Sequence, residues 1–101
     1  MRRKLNIYTI LKNNIYISIL QRLKKSQDGL RNQAFQDLVS NHSGSLVSFY
    51  LGNLRKLDLI YVKNLGHSNK SKWFIDTKGI ELLDIYNSKK EIDRRINNIV
   101  V

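Results

Sequence analysis

The chain contains no cysteine and no proline, only two histidines, and only eight acidic residues against eighteen lysines and arginines. Without cysteine, disulfides, thiol switches and cysteine-based zinc sites are excluded. The histidines, His42 and His67, stand far apart, and two such residues make no metal site. The carboxylates are scattered and no serine–histidine–acid set stands among them. The chain is therefore expected to be no enzyme and to need no cofactor or metal. No apolar run is long enough to span a bilayer, so no membrane partner is expected. The opening MRRKLNIYTIL imitates a secretory leader for a few residues. Lys12-Asn13-Asn14 then breaks the apolar run, and no small-residue cleavage site follows. The expected setting is the cytoplasm. Internal repeats and low-complexity linkers are also missing, and 101 residues make one domain.

What the chain has in excess is positive charge, a net +10. Residues 1–27 carry seven lysines or arginines and no acid, and residues 28–37 net −1. Residues 38–75 carry Arg55, Lys56, Lys63, Lys70 and Lys72 against the single acid Asp58, whereas residues 76–101 carry five of each sign. A basic body with a neutral tail points to a polyanion partner for the body. The tail is left for protein contact or for plain structure.

Apolar spacing orders the elements. Tyr16, Ile19, Leu20 and Leu23 recur at helical intervals and predict a first helix over about 13–25, with Leu5 its earliest start. Ser26-Gln27-Asp28-Gly29 reads as a turn. Phe35, Leu38 and Val39 share a face and predict a second helix over 31–40. After the turn Asn41-His42-Ser43-Gly44, Ser43 is placed to cap a third helix. That helix would bury Val47, Tyr50, Leu51, Leu54 and Leu57. LIYVK (59–63) and KWFI (72–75) are β-type runs, joined by a polar loop into a hairpin. Asp76 then caps a final helix.

Helix, helix, helix and hairpin in this order is the winged helix-turn-helix arrangement. SGSLVSFYLGNLRKLDLI (43–60) resembles the recognition helix and following strand of small archaeal winged-helix regulators, relatives of the ArsR, MarR and PadR groups. KWFIDTKGIELLDIY (72–86) resembles their closing segment: aromatic strand, capping residue, Lys-Gly, apolar helix. The resemblance spans roughly residues 13 to 92. It departs from the pattern at His42, where an aliphatic residue often plugs the turn. It departs again at Phe49 and Gly52, where Arg, Lys or His is common.

The resemblance implies a fold that is mainly α with a small β-hairpin and an extended C-terminal helix. It also implies double-stranded DNA as partner, with the third helix in the major groove and the hairpin on the adjacent backbone or minor groove. On the third helix, Ser43, Ser45, Ser48, Phe49, Gly52, Asn53, Arg55 and Lys56 would meet DNA. The serine hydroxyls suit phosphate or base edges, Phe49 a thymine methyl, and Asn53, Arg55 and Lys56 phosphates. Arg31, Asn32 and Gln33 would lie at the start of the second helix, where free N–H groups favour a phosphate. In the hairpin, His67, Asn69, Lys70 and Lys72 form a basic tip, and Gly66 lets the backbone turn. A sequence-selective transcriptional regulator of the nucleoid is the expected function. The alternatives are a non-specific chromatin-like protein and a winged helix used for protein contacts.

The last helix has its own pattern. Leu82, Ile85, Lys89, Ile92, Ile96 and Ile99 alternate by three and four, a heptad seam with one polar interruption. A helix over 77–98 would be about 33 Å long at 1.5 Å per residue. A body of this size is only about 26 Å across, from a radius of gyration near 13 Å. The helix must overhang, and a second copy of the chain is the expected cover; the alternative is a tail that folds back or frays. Residues 1–76 are thus expected to form the DNA-binding body, and 77–101 a dimerisation helix within the same domain.

Overall fold

A computed structural model of the protein describes residues 5–63 and 71–100, with the backbone alone at Val100. The expected first helix is two helices, α1 (Ile7–Leu11) and α2 (Asn14–Lys25). Asparagine makes the break. Asn6 caps α1, accepting from the Thr9 N–H at 3.0 Å, and Asn13 leaves helical geometry to cap α2. Its Oδ1 accepts from the Ile15 and Tyr16 N–H groups at 2.9 and 3.4 Å. Each cap satisfies donors that the first turn of a helix leaves free. α2 then buries Tyr16, Ile17, Ile19, Leu20 and Leu23.

The expected second helix is not α-helical. Asn32–Leu38 is a 3-10 segment, followed by a single 3-10 turn at Ser40–His42. No side chain caps its start. Arg22 reaches across from α2, donating to the Ala34 carbonyl and both Asp37 carboxylate oxygens, each at 2.7 Å. Phe35, wholly buried, pins the middle. A short uncapped segment gains little from α-helix formation, and here tertiary contacts set the winding. The apolar face is as expected: Phe35 and Val39 are buried and Leu38 half-buried. Asn41 and His42 follow with φ of 58° and 53°, turning the chain into α3 (Gly44–Lys56).

Ser43 caps α3, its hydroxyl accepting from the Leu46 N–H at 3.2 Å. Val47, Leu51 and Leu54 are buried at helical spacing, with Tyr50 and Leu57 half-buried. The hairpin pairs β1 (Ile60–Lys63) with β2 (Lys72–Ile75), antiparallel, with Tyr61 opposite Phe74 and Val62 opposite Trp73. Leu30 adds a rung on the far side of β2, exchanging backbone hydrogen bonds with Trp73 at 3.0 and 2.7 Å. The turn before that rung needs Gly29, whose φ is +80°.

The last helix, α4 (Thr77–Val100), begins where the Asp76 carboxylate accepts from the Thr77 N–H at 2.7 Å. Gly79, in its first turn, lies against Leu59, just before β1, and Ile75 of β2. A Cβ there would be driven into the Leu59 carbonyl oxygen and to 2.7 Å from Ile75 Cγ1. Gly79→Ala is therefore expected to destabilise the fold by about 1–3 kcal/mol, the usual cost of overpacking. A urea titration reads this directly, and an unchanged midpoint would contradict the packing.

Leu82 and Leu83 close the core against α2. This corrects one expectation: Leu82 is only 3% exposed and belongs to the chain's own core, so it is no part of a seam between copies. Beyond it Ile85, Ile92, Ile96 and Ile99 stand 50–82% exposed, and Lys89 is exposed too. The chain extends 55 Å along its long axis against 24 Å along the short one. Its radius of gyration, 15.2 Å, exceeds the roughly 13 Å of a compact 100-residue body. α4 overhangs its own domain. No described helix is long and apolar enough to cross a membrane, and the described residues hold no cluster able to bind a metal.

Candidate nucleic-acid interface

α3 presents a face that the core does not use. Ser45, Ser48, Phe49, Arg55 and Lys56 are exposed, Gly52 and Asn53 half-buried, and Ser43 half-buried at the cap. The helix contains no acid. Three acids of the described residues are paired elsewhere. Asp37 pairs with Arg22, Asp84 lies 3.7 Å from Lys24, and Glu91 pairs with Arg94 and Arg95. No ion pair among the described residues engages Arg31, Arg55, Lys56, Lys63 or Lys72. Arg22 and Asp37 reinforce each other. Their hydrogen bond holds the Asp37 carboxyl below the usual carboxylate range and raises the Arg22 guanidinium further.

Asn32 ties the surface together. Its Nδ2 donates to Ser48 Oγ at 3.2 Å, and its Oδ1 accepts from Trp73 Nε1 at 2.8 Å. One amide thus spans α3, the 3-10 segment and β2. The hairpin and α3 are held at a fixed offset, with Lys72 next to Trp73 in the strand. The expectation of Arg31, Asn32 and Gln33 at the N-terminus of an α-helix needs correction. Arg31 and Gln33 are exposed at the start of a 3-10 segment, and Asn32 is engaged on both sides.

Asn53 is also committed inward. Its Nδ2 donates to the Tyr16 hydroxyl at 2.7 Å, in a half-buried setting. Burial pushes the Tyr16 hydroxyl pKa up, the Asn53 bond acting against it, so the phenol stays neutral. Tyr16 meets Tyr50 edge-to-face with centroids 4.9 Å apart, and Phe49 meets Tyr50 at 5.6 Å. Lys63 lies 5.7 Å over the Phe74 ring, which stacks on Tyr61. His67, Asn69 and Lys70, with Gly66, lie outside the described residues. His42 is exposed in the turn, its N–H donating to the Val39 carbonyl at 3.3 Å.

Sequence reasoning missed Leu46, 39% exposed on the same side as Phe49, and Trp73, the partner of Asn32. The spacing of Leu46 and Phe49, three apart on a helix, was the available signal for the first. Nothing local signalled the second, because Asn32 and Trp73 are 41 residues apart.

No protein-family model matches the chain, and no curated protein does. Solved structures do. A glycine-to-lysine mutant of S. aureus MepR superposes with a TM-score of 0.76 at 22% identity, over 94% of this chain and 70% of that one. A phenylalanine-to-leucine mutant of MepR bound to an oligodeoxyribonucleotide gives 0.71 at 24% identity, over 93% and 67%. The S. aureus MepR–DNA complex gives 0.67 at 20% identity, over 93% and 82%. At these identities the likeness establishes the fold, a winged helix with a long C-terminal helix.

Proposed function

We propose that the protein is a sequence-selective double-stranded DNA-binding protein acting as a transcriptional regulator, on the MarR-like side of the groups its sequence resembles. The carrying observation is the acid-free outward face of α3, joined through Asn32 to a hairpin whose Lys63 and Lys72 make no ion pair among the described residues. The solved structures of similar fold include MepR in complex with DNA, which supports the reading. α3 enters the major groove and the hairpin lies on the backbone or the minor groove. Ser45 and Ser48 offer hydroxyls to base edges or phosphates, and Arg31, Arg55, Lys56 and Lys72 bind phosphates. Counterion release supplies much of the affinity. Such a protein works at the nucleoid, in the cytoplasm.

The assembly that fits is a homodimer, with residues 1–76 as the DNA-binding body and α4 as the joining helix. Exposed Ile85, Ile92, Ile96 and Ile99 support this, because each large apolar side chain left in water forgoes about 1.5–3 kcal/mol.

Selection of bound duplexes from a random pool, at about 50 and about 200 mM salt, tests the reading. An enriched motif at both salts supports selective binding. Binding without a motif supports a chromatin-like protein, for which the net +10 charge speaks. No binding at low salt would favour a protein-contact role. Replacing Lys70 and Lys72 with alanine is expected to weaken all duplexes alike and to flatten the salt slope by about 1–2 units. An unchanged slope would remove the hairpin from the interface.

A further inference from the structure

Over residues 44–52 of α3, polar readout is confined to hydroxyls. Residues 44–52 contain no Arg, Lys, Asn or Gln, the side chains that read guanine or adenine through paired hydrogen bonds. Asn53 carries the helix's one amide, and that amide is bonded to Tyr16. Ser48 Oγ already accepts from Asn32.

What the face offers instead is apolar surface. Leu46 and Phe49, three residues apart, lie on one side and are 39% and 58% exposed. Phe49 is steadied by its edge-to-face contact with Tyr50, at 76° between the ring planes. Gly52 stands a further turn along. A Cβ there would meet nothing within 4 Å. Glycine inside a helix weakens it, and no neighbour in the fold requires glycine at this position. Its effect is to leave the helix surface open to close approach from outside.

The patch lies on a positively charged element. Arg55 and Lys56 follow on the next turn, and α3 holds no acid. An apolar patch set among cations fits an apolar group carried on a polyanion. In duplex DNA that group is the C5-methyl of thymine, which projects into the major groove and is read by apolar contact. We infer that α3 selects its DNA by pyrimidine C5-methyl groups, through Leu46 and Phe49, with Gly52 admitting the groove edge. This rests on the DNA-binding reading above and names the chemistry that the same face recognises.

The test uses matched duplexes of equal charge: alternating dA·dT against alternating dA·dU, and alternating dI·dC against the same duplex carrying 5-methylcytosine. Within each pair only the methyl differs. The full chain is expected to prefer the methylated member by about fourfold per methyl contacted. Phe49→Ala with Leu46→Ala should bring both preferences, each read as the ratio of affinities within a matched pair, close to one. Gly52→Ala should raise the melting temperature by about 4–8 °C, yet weaken binding to dA·dT. Equal binding of the wild-type chain within both pairs would overturn methyl readout and leave DNA binding standing. A preference that survives the double substitution would overturn the assignment to Leu46 and Phe49. No binding to any of the four duplexes at low salt would overturn this inference together with the proposed function.

Discussion

Ser48→Glu is expected to abolish duplex binding while the thermal unfolding curve stays within a degree or two of wild type. Ser48 is exposed in the middle of α3, and its side chain's partner in the fold is the Asn32 amide, 3.2 Å away. A glutamate can accept from that amide as well as a hydroxyl can. Glutamate is also the better helix former, so the fold has no reason to suffer. The interface does. A carboxylate about 4 Å from a phosphate costs on the order of 4 kcal/mol at an effective dielectric of 20, a loss of several hundredfold. Fluorescence anisotropy with a selected duplex measures the loss, and circular dichroism checks the fold. A folded variant that binds normally would show that α3 is not the reading element.

Replacing Ile92 and Ile96 with aspartate should split the proposed dimer and weaken DNA binding by roughly 100-fold or more, although neither residue would touch DNA. The two isoleucines sit one turn apart on the overhang of α4, 56% and 50% exposed in the single chain. They lie between Ile85 and Ile99 in the same exposed stripe, well beyond Leu83, the last buried residue of α4. Nearby, Glu91 pairs within the helix with Arg94 and Arg95. A paired copy would set like charges from the double variant against each other in an apolar seam. Two linked bodies bind two half-sites with a high effective concentration, and that gain is lost on separation. Lys89, which interrupts the stripe, is exposed. Sedimentation equilibrium decides the matter. A wild-type chain that stays monomeric at high micromolar concentration, or a double variant that stays dimeric, would rule the seam out.

How far the structure was readable in the sequence differs from element to element. α3 was readable because its information is local: Ser43 as cap, then Val47, Leu51 and Leu54 at one helical period. The hairpin was readable for the same reason, since β-branched and aromatic residues cluster in 60–63 and 72–75. The split between α1 and α2 had a local signal as well, in Asn13, whose side chain is a strong helix cap. The 3-10 segment had none. Its winding depends on Arg22, which meets Asp37 from 15 residues away. The exposed residues of α3 were likewise legible from spacing. The inward commitments of Asn32 and Asn53 were not, because a sequence pattern identifies an amide without showing which distant hydroxyl or indole it will meet.

The bond between Trp73 and Asn32 also has a spectroscopic consequence. Trp73 is the chain's one tryptophan, so its indole is a single intrinsic probe. Its N–H is bonded at 2.8 Å to the residue that joins hairpin and α3, and its backbone pairs with Leu30. Emission excited near the red edge of tyrosine absorption therefore reports from one position in the molecule. The indole N–H resonance does the same in a nitrogen-15 spectrum, as one cross-peak with no overlap to resolve. Any motion of the hairpin relative to α3 is visible without attaching a label to a surface whose charge and shape are the properties of interest.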